Sequence, residues 1–233
     1  MMLVNPYVFA AAALFTEPTL IGFTTADRNN TSFSLPVDVP YPVGIETDMV
    51  AFAHISTRSG AGTDHVINTP AGWVKISEQG INGFVFMRHA VFSKVLDGSE
   101  SGTVAFGTTP QLVGTGSALI IGAMSLWGGV DTATLTEGLA VNIGTSANMT
   151  GSAVTTAGVD RRVLNFGNAE MTTSATPAFG WTEDYDYNST ESVDSMLSLH
   201  SLDAPTAGTV AAVTHTLSAS RRWGVISVAL RPA

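Results

Sequence analysis

The sequence predicts an all-β protein, an antiparallel β-sandwich built from two related halves behind a short apolar N-terminal arm. Three observations predict it. Short runs rich in Val, Ile, Phe, Thr and Leu recur along the chain, each bounded by Gly, Pro, Asp or Ser. No window carries an apolar stripe of 3.6-residue period with caps. One phrase occurs twice, TPAGW at 69–73 and TPAFGW at 176–181.

The arm is residues 1–18, MMLVNPYVFAAAALFTEP. It lacks the positive opening of a signal peptide, Pro6 interrupts it early, and it is too short to span a bilayer. Its Ala run makes 7–15 the one helix candidate. Ordering such a segment needs a surface to bury against. The reading is therefore an arm docking on its own domain or on a neighbouring subunit, through Pro6, Tyr7, Phe9, Leu14 and Phe15, against the alternative of an unordered start.

Residues 19–233 read as a single sandwich domain. An entry strand, FSLPV at 33–37, is followed by a Pro-rich loop. Strands are predicted at 49–57, 84–95, 102–108, 117–127, 162–168, 195–202, 208–217 and 222–230. In the last, Ile226, Val228 and Leu230 share one face at the period of a strand. The Thr-, Gly- and Ala-rich stretch 129–159 reads as a surface connector with one or two edge strands.

The doubled phrase belongs to a longer repeat, with halves at about 48–128 and 160–231. Asp48 leads into Val50 and Phe52, and Asp160 into Val163 and Phe166. The turns ending at Trp73 and Trp181 follow, then Gly-Thr-Val-Ala at 102–105 and 208–211, then exit strands closing at Leu126 and Leu230. Four landmarks in one order at similar spacings exceed chance. Each half supplies too few strands to bury both faces of a sheet, so two sheets face to face are expected. In each turn Pro sets the bend, Gly relieves it, and Trp anchors the next strand.

Composition narrows function. Charged residues are 12% of the chain, below what a solvated monomer usually carries, and the surface is left to Thr, Ser, Gly and Ala. Such a surface suits packing against copies of itself. A formal charge of −9, with Arg161–Arg162 and Arg221–Arg222 the only adjacent basic pairs, argues against nucleic acid. With no cysteine, disulfides, thiolate metal sites and thiol nucleophiles are excluded.

The order of the landmarks resembles a jelly-roll-like β-sandwich family that recurs in bacteriophage structural proteins and in some bacterial surface proteins. The matching stretches are Asp48–Phe52, Pro70–Trp73, Phe84–Val95 with Asp97–Ser101, Trp127–Asp131, Gly180–Glu183 and Val225–Ala233. The resemblance covers roughly 45–233. It implies a jelly-roll-like fold and a non-enzymatic virion protein, a head decoration or accessory protein or a tail or fibre component. It implies assembly in the bacterial cytoplasm with other virion proteins and copies of itself. It brings no catalytic residues, cofactor or metal.

The strongest chemical candidate is TEDYDYNSTESVD at 182–194. Asp184, Asp186 and Asn188 alternate as in a calcium loop, but Ser189 and Ser195 stand where such a loop needs Gly and Glu. On a strand the three share a face, with Tyr185 and Tyr187 on the other. Three readings follow: a solvated acidic face, a metal site, or a glycan-binding surface with the two tyrosines as stacking rings. His54, His65, His89, His200 and His215 form no metal-binding motif. His89 and His200 fall in matching strands and read as repeat-derived structural residues. Gly114–Ser117 precedes a strand and reads as a turn, and no nucleophile elbow occurs. The alternatives to virion assembly are a glycan- or receptor-binding module and a sandwich-fold hydrolase or lyase. The last requires a cleft with convergent carboxylates or a His–Tyr pair.

Overall fold

The computed structural model describes residues 17–30, 36–59, 64–81, 86–110, 118–171, 173–189 and 194–233. The arm contacts of Pro6, Tyr7, Phe9, Leu14 and Phe15, the helix candidate 7–15, the 114–117 turn and most of FSLPV lie outside them. Every regular element described is a β-strand. In chain order the first nine are β1 (Thr19–Asn30), β2 (Val37–Pro40), β3 (Val50–Ser59), β4 (His65–Ile67), β5 (Val74–Ile81), β6 (Phe86–Val95), β7 (Thr103–Phe106), β8 (Thr108–Pro110) and β9 (Ala118–Gly128). The rest are β10 (Thr136–Gly151), β11 (Val154–Thr156), β12 (Arg161–Glu170), β13 (Ala175–Thr176), β14 (Thr182–Asn188), β15 (Ser195–Ala204), β16 (Gly208–Val210) and β17 (Val213–Leu230).

Two large antiparallel sheets result, ordered β1-β9-β3-β6-β5 and β10-β17-β12-β15-β14. Counted from β1 and from β10, the two orders coincide. Short ladders accompany each: β2–β7 and β4–β8 with the first, β11–β16 and β13–β17 with the second. Of the large-sheet strands β1 alone was not expected: β10 is an edge strand within the 129–159 connector, and β5 and β14 are the strands that follow Trp73 and Trp181, though their bounds were not legible. The predicted runs 208–217 and 222–230 also differ from what forms. The first splits into β16 and the opening of β17, and β17 continues through the second as one strand.

The sheets pack face to face. Val50, Phe52, Leu119, Ile121 and Trp127 of the first meet Leu164, Phe166, Leu199, Ile226 and Val228 of the second in one buried cluster. The Phe52 and Phe166 rings are 6.3 Å apart. Each such side chain contributes about 1.5–3 kcal/mol by leaving water. The outer faces are covered too. Val37, Val39, Ile67 and Phe106 close the first sheet, and Met149, Ala175, Leu217 and Val154 the second. Burial on both faces explains why β3 opens on the unbroken apolar run Val50–Ala53 rather than on an alternation.

The repeated landmarks have physical causes. In the two Trp turns, the Trp73 N–H donates to Pro70 O (3.2 Å) and the Trp181 N–H to Ala178 O (3.0 Å). The residue before each Trp has φ of 78° (Gly72) and 84° (Gly180), the left-handed region that glycine enters without steric cost. Asp48 and Asp160 also have positive φ, 65° and 56°. Their N–H groups donate to Leu96 O and Pro205 O, so each swings the chain into its sheet.

Candidate functional site

The acidic strand β14 is the outermost strand of the second sheet. A bulge between Glu183 and Tyr185 sets its facing. Tyr185 is 4% exposed in the inter-sheet core, and Tyr187 is half-buried against the same core. The glycan reading needed both rings at the surface. Tyr185 instead packs on Phe23 at 5.4 Å, because the bulge turns it toward the first sheet.

Asp184, Asp186 and Asn188 are half-buried, and the segment before the Trp181 turn lies against two of them. Asp186 Oδ2 accepts the Ala175 N–H (2.9 Å) and Asn188 Oδ1 accepts the Thr173 N–H (3.0 Å). These two side chains therefore fix 173–176 in place. Burial pushes the Asp186 carboxyl up to about 6, with the Ala175 N–H opposing and Glu183 adding to the rise. Burial likewise raises Asp184, against a Ser201 hydrogen bond and the charge of Arg162. Among the described residues no three His, Asp or Glu side chains are disposed to hold a metal ion.

Beneath that segment lies a histidine pair that no motif in the chain joins. His200 and His215 stack with rings 4.0 Å apart and 12° from parallel. His200 Nε2 meets Ala175 O at 3.1 Å, and His215 Nε2 meets Asn165 Nδ2 at 3.0 Å. The Trp181 ring stands edge-on to His215 at 5.3 Å. The first sheet has the same arrangement with different side chains. Trp73 stands edge-on to Phe106 at 5.5 Å, and Phe106 lies 5.3 Å from Phe92. His89 and His200 do occupy matching strands, but on opposite faces. The register pairs Lys75 with Phe92 and Glu183 with His200, so Phe92 is the counterpart of His200.

His89 faces the inter-sheet core. Its Nδ1 is 3.1 Å from His54 Nε2, and His54 Nδ1 is 3.5 Å from Tyr185 Oη. Burial holds both imidazoles neutral, His89 pushed down to about 3 and His54 well below its ordinary value. Burial keeps the Tyr185 hydroxyl protonated, and the tautomer of His54 sets which of the two donates. This is a His–Tyr grouping of the sort a hydrolase would use, but it is sealed in the core, with His54 and His89 fully buried. Nearer the far end, Arg58 of the first sheet lies 3.5 Å from Glu170, which also accepts from Arg222 Nε at 3.0 Å. That triad ties the two sheets together.

Outside the core, apolar side chains line two of the four outermost strands. Ile21 and Phe23 on β1 are 45% and 46% exposed, and Leu139, Val141 and Ile143 on β10 are 51%, 42% and 47% exposed. The alternation in TLIGF and LAVNI was the available signal, hidden in stretches read as entry segment and connector. Phe179, in the Trp181 turn, is fully exposed. Comparison with protein-family models, curated proteins and solved structures finds no match for this chain.

Proposed function

We propose that this protein is a non-enzymatic structural component of a bacteriophage particle, a head accessory or a tail or fibre protein, acting through protein–protein assembly as a homo-oligomer. One observation carries the reading. A β-sheet body with few charges presents apolar side chains along an outermost strand, Ile21 and Phe23, where a solvated monomer would place charge. The glycan-binding surface built on Tyr185 and Tyr187 is not carried forward, since Tyr185 is in the core.

We further propose that the body is one jelly-roll-like sandwich whose two halves are copies of one unit. The support lies in the register. Val74 pairs with Ser93 and Thr182 with Ser201, and each ladder then bulges after the next residue. The carboxylate following the bulge accepts a backbone N–H from the neighbouring ladder in both, Glu78 from Ile67 and Asp186 from Ala175. Convergence on a shared bulge, turn and carboxylate is less economical than duplication.

The test is direct. Antibody against the purified protein is used to probe gradient-banded particles from an infected or induced culture, beside its native mass. The expected result is a band at fixed stoichiometry with the particles and a defined oligomer in solution. A protein found only in the particle-free fraction and monomeric at all concentrations overturns the reading.

A further inference from the structure

The two sheets are not in line. β1 lies against β14, β9 against β15, β3 against β12 and β5 against β17. The first sheet ends at β5, so β10, one place beyond β17, overhangs. Val141 and Ile143 pair with Ile226 and Gly224, which face the first sheet, so the stripe Leu139, Val141, Ile143 faces the step beside β5. Of the sixteen residues of β10, Glu137 alone is charged, and it is held by Arg161 at 3.0 Å. Pairing along the outer edge is hindered, because the Ser152 hydroxyl donates to Val141 O at 3.1 Å. The open feature is the apolar face.

We propose that this stripe is the docking site of the chain's own residues 1–16. The described chain begins at Glu17, and Pro18 is buried. Both lie beside Asp160, Arg161 and Arg162, and Arg161 is the residue that holds Glu137 at the start of β10. The arm therefore leaves at the end of the molecule where β10 begins. Sixteen residues reach on the order of 50 Å when extended, against about 19 Å across five strands. Length remains to cover the stripe after the crossing. The chemistry matches: residues 1–16 contain no charged side chain and hold Leu3, Val4, Tyr7, Val8, Phe9, Leu14 and Phe15. Laid in the step, they remove the three exposed side chains from water. The inference is independent of particle assembly.

The absence of cysteine makes the test clean. Val141→Cys is combined in turn with Leu3→Cys, Phe9→Cys and Phe15→Cys in the full chain and oxidised at low protein concentration. The expected product, read by mass after digestion, is a disulfide within one chain for at least one pair. A disulfide joining two chains, or none at all three positions, overturns the assignment. In parallel, the Val141→Asp/Ile143→Asp double variant is digested with chymotrypsin. Cleavage within the arm is expected to be at least about tenfold faster than in the native chain. Equal rates overturn the proposal, and the crosslinking arm stands by itself should that variant fold poorly.

Discussion

Asp186 and Glu78 do the same structural work in opposite electrostatic settings. Glu78 has Lys75 at 2.5 Å and Arg88 at 3.5 Å. On the second sheet the register puts Glu183 where Lys75 stands, so Asp186 has an acidic neighbour. Its carboxyl, raised to about 6, binds a proton more tightly in the folded chain than in the unfolded one. The stability this contributes is present below pH ~4 and lost as pH rises through about 6. Asp186→Asn retains an oxygen for the Ala175 N–H and removes the charge. The expected outcome is an unfolding free energy higher by about 1 kcal/mol at neutral pH, after discounting for partial exposure, and no gain near pH 4. The histidine pair has the other sign. Burial pushes His200 down to about 4 and His215 to about 3, with His200 adding to the latter. Stability is complete above the ordinary value of 6.5 and declines as pH falls toward 4. Replacing both by Phe, the residue at 92 and 106, should flatten that decline in thermal melts. An unchanged slope would place the acid sensitivity elsewhere.

At the scale of elements, what could be read from the chain depended on burial. β3, β6, β9, β12 and β15 are interior to their sheets and carry dense apolar runs, so they were legible to within about three residues. β1, β5, β10 and β14 are outermost strands. They need only one apolar face, and Lys75, Glu78, Gln79 and Asp186 break up the pattern. The turn phrase was legible because glycine at positive φ is a local demand. The bulge was not, because it is set by the facing strand, and without it the choice between a solvated acidic face and a stacking surface of tyrosines stayed open. The same cause hid the contact of β17 with β5. There, a Cβ on Gly224 would lie 2.6 Å from Ile81 Cδ1 and 2.7 Å from His89 Nε2. His89 is fully buried and bonded to His54, so it has little room to yield. Gly224→Ala is expected to cost about 1–3 kcal/mol in denaturant unfolding. A neutral result would mean that the sheets can separate locally at this end.

For the whole molecule, the decisive feature is that each sheet has its own outer core, in two clusters on the second, but shares the central one. Phe52, Ile121 and Trp127 on one side, and Leu164, Phe166 and Ile226 on the other, are buried in one cluster that draws on both sheets. The Arg58–Glu170–Arg222 triad adds a polar tie at the far end. Deleting its centre leaves two guanidinium groups facing one another with little access to water. Glu170→Ala is therefore expected to cost about 3–5 kcal/mol, more than deleting either arginine. The chain crosses from one half to the other once, through the exposed residues 132–134. Opening it there tests whether the shared core is obligatory. Fragments 1–133 and 134–233 expressed singly should be insoluble, because each would expose the whole inner face of a five-stranded sheet. Co-expressed, they should copurify as a one-to-one pair carried by a tag on either fragment. A soluble monomeric fragment would show that the outer core of a half suffices. The central layer would then be an interface between two independent units rather than the core of one.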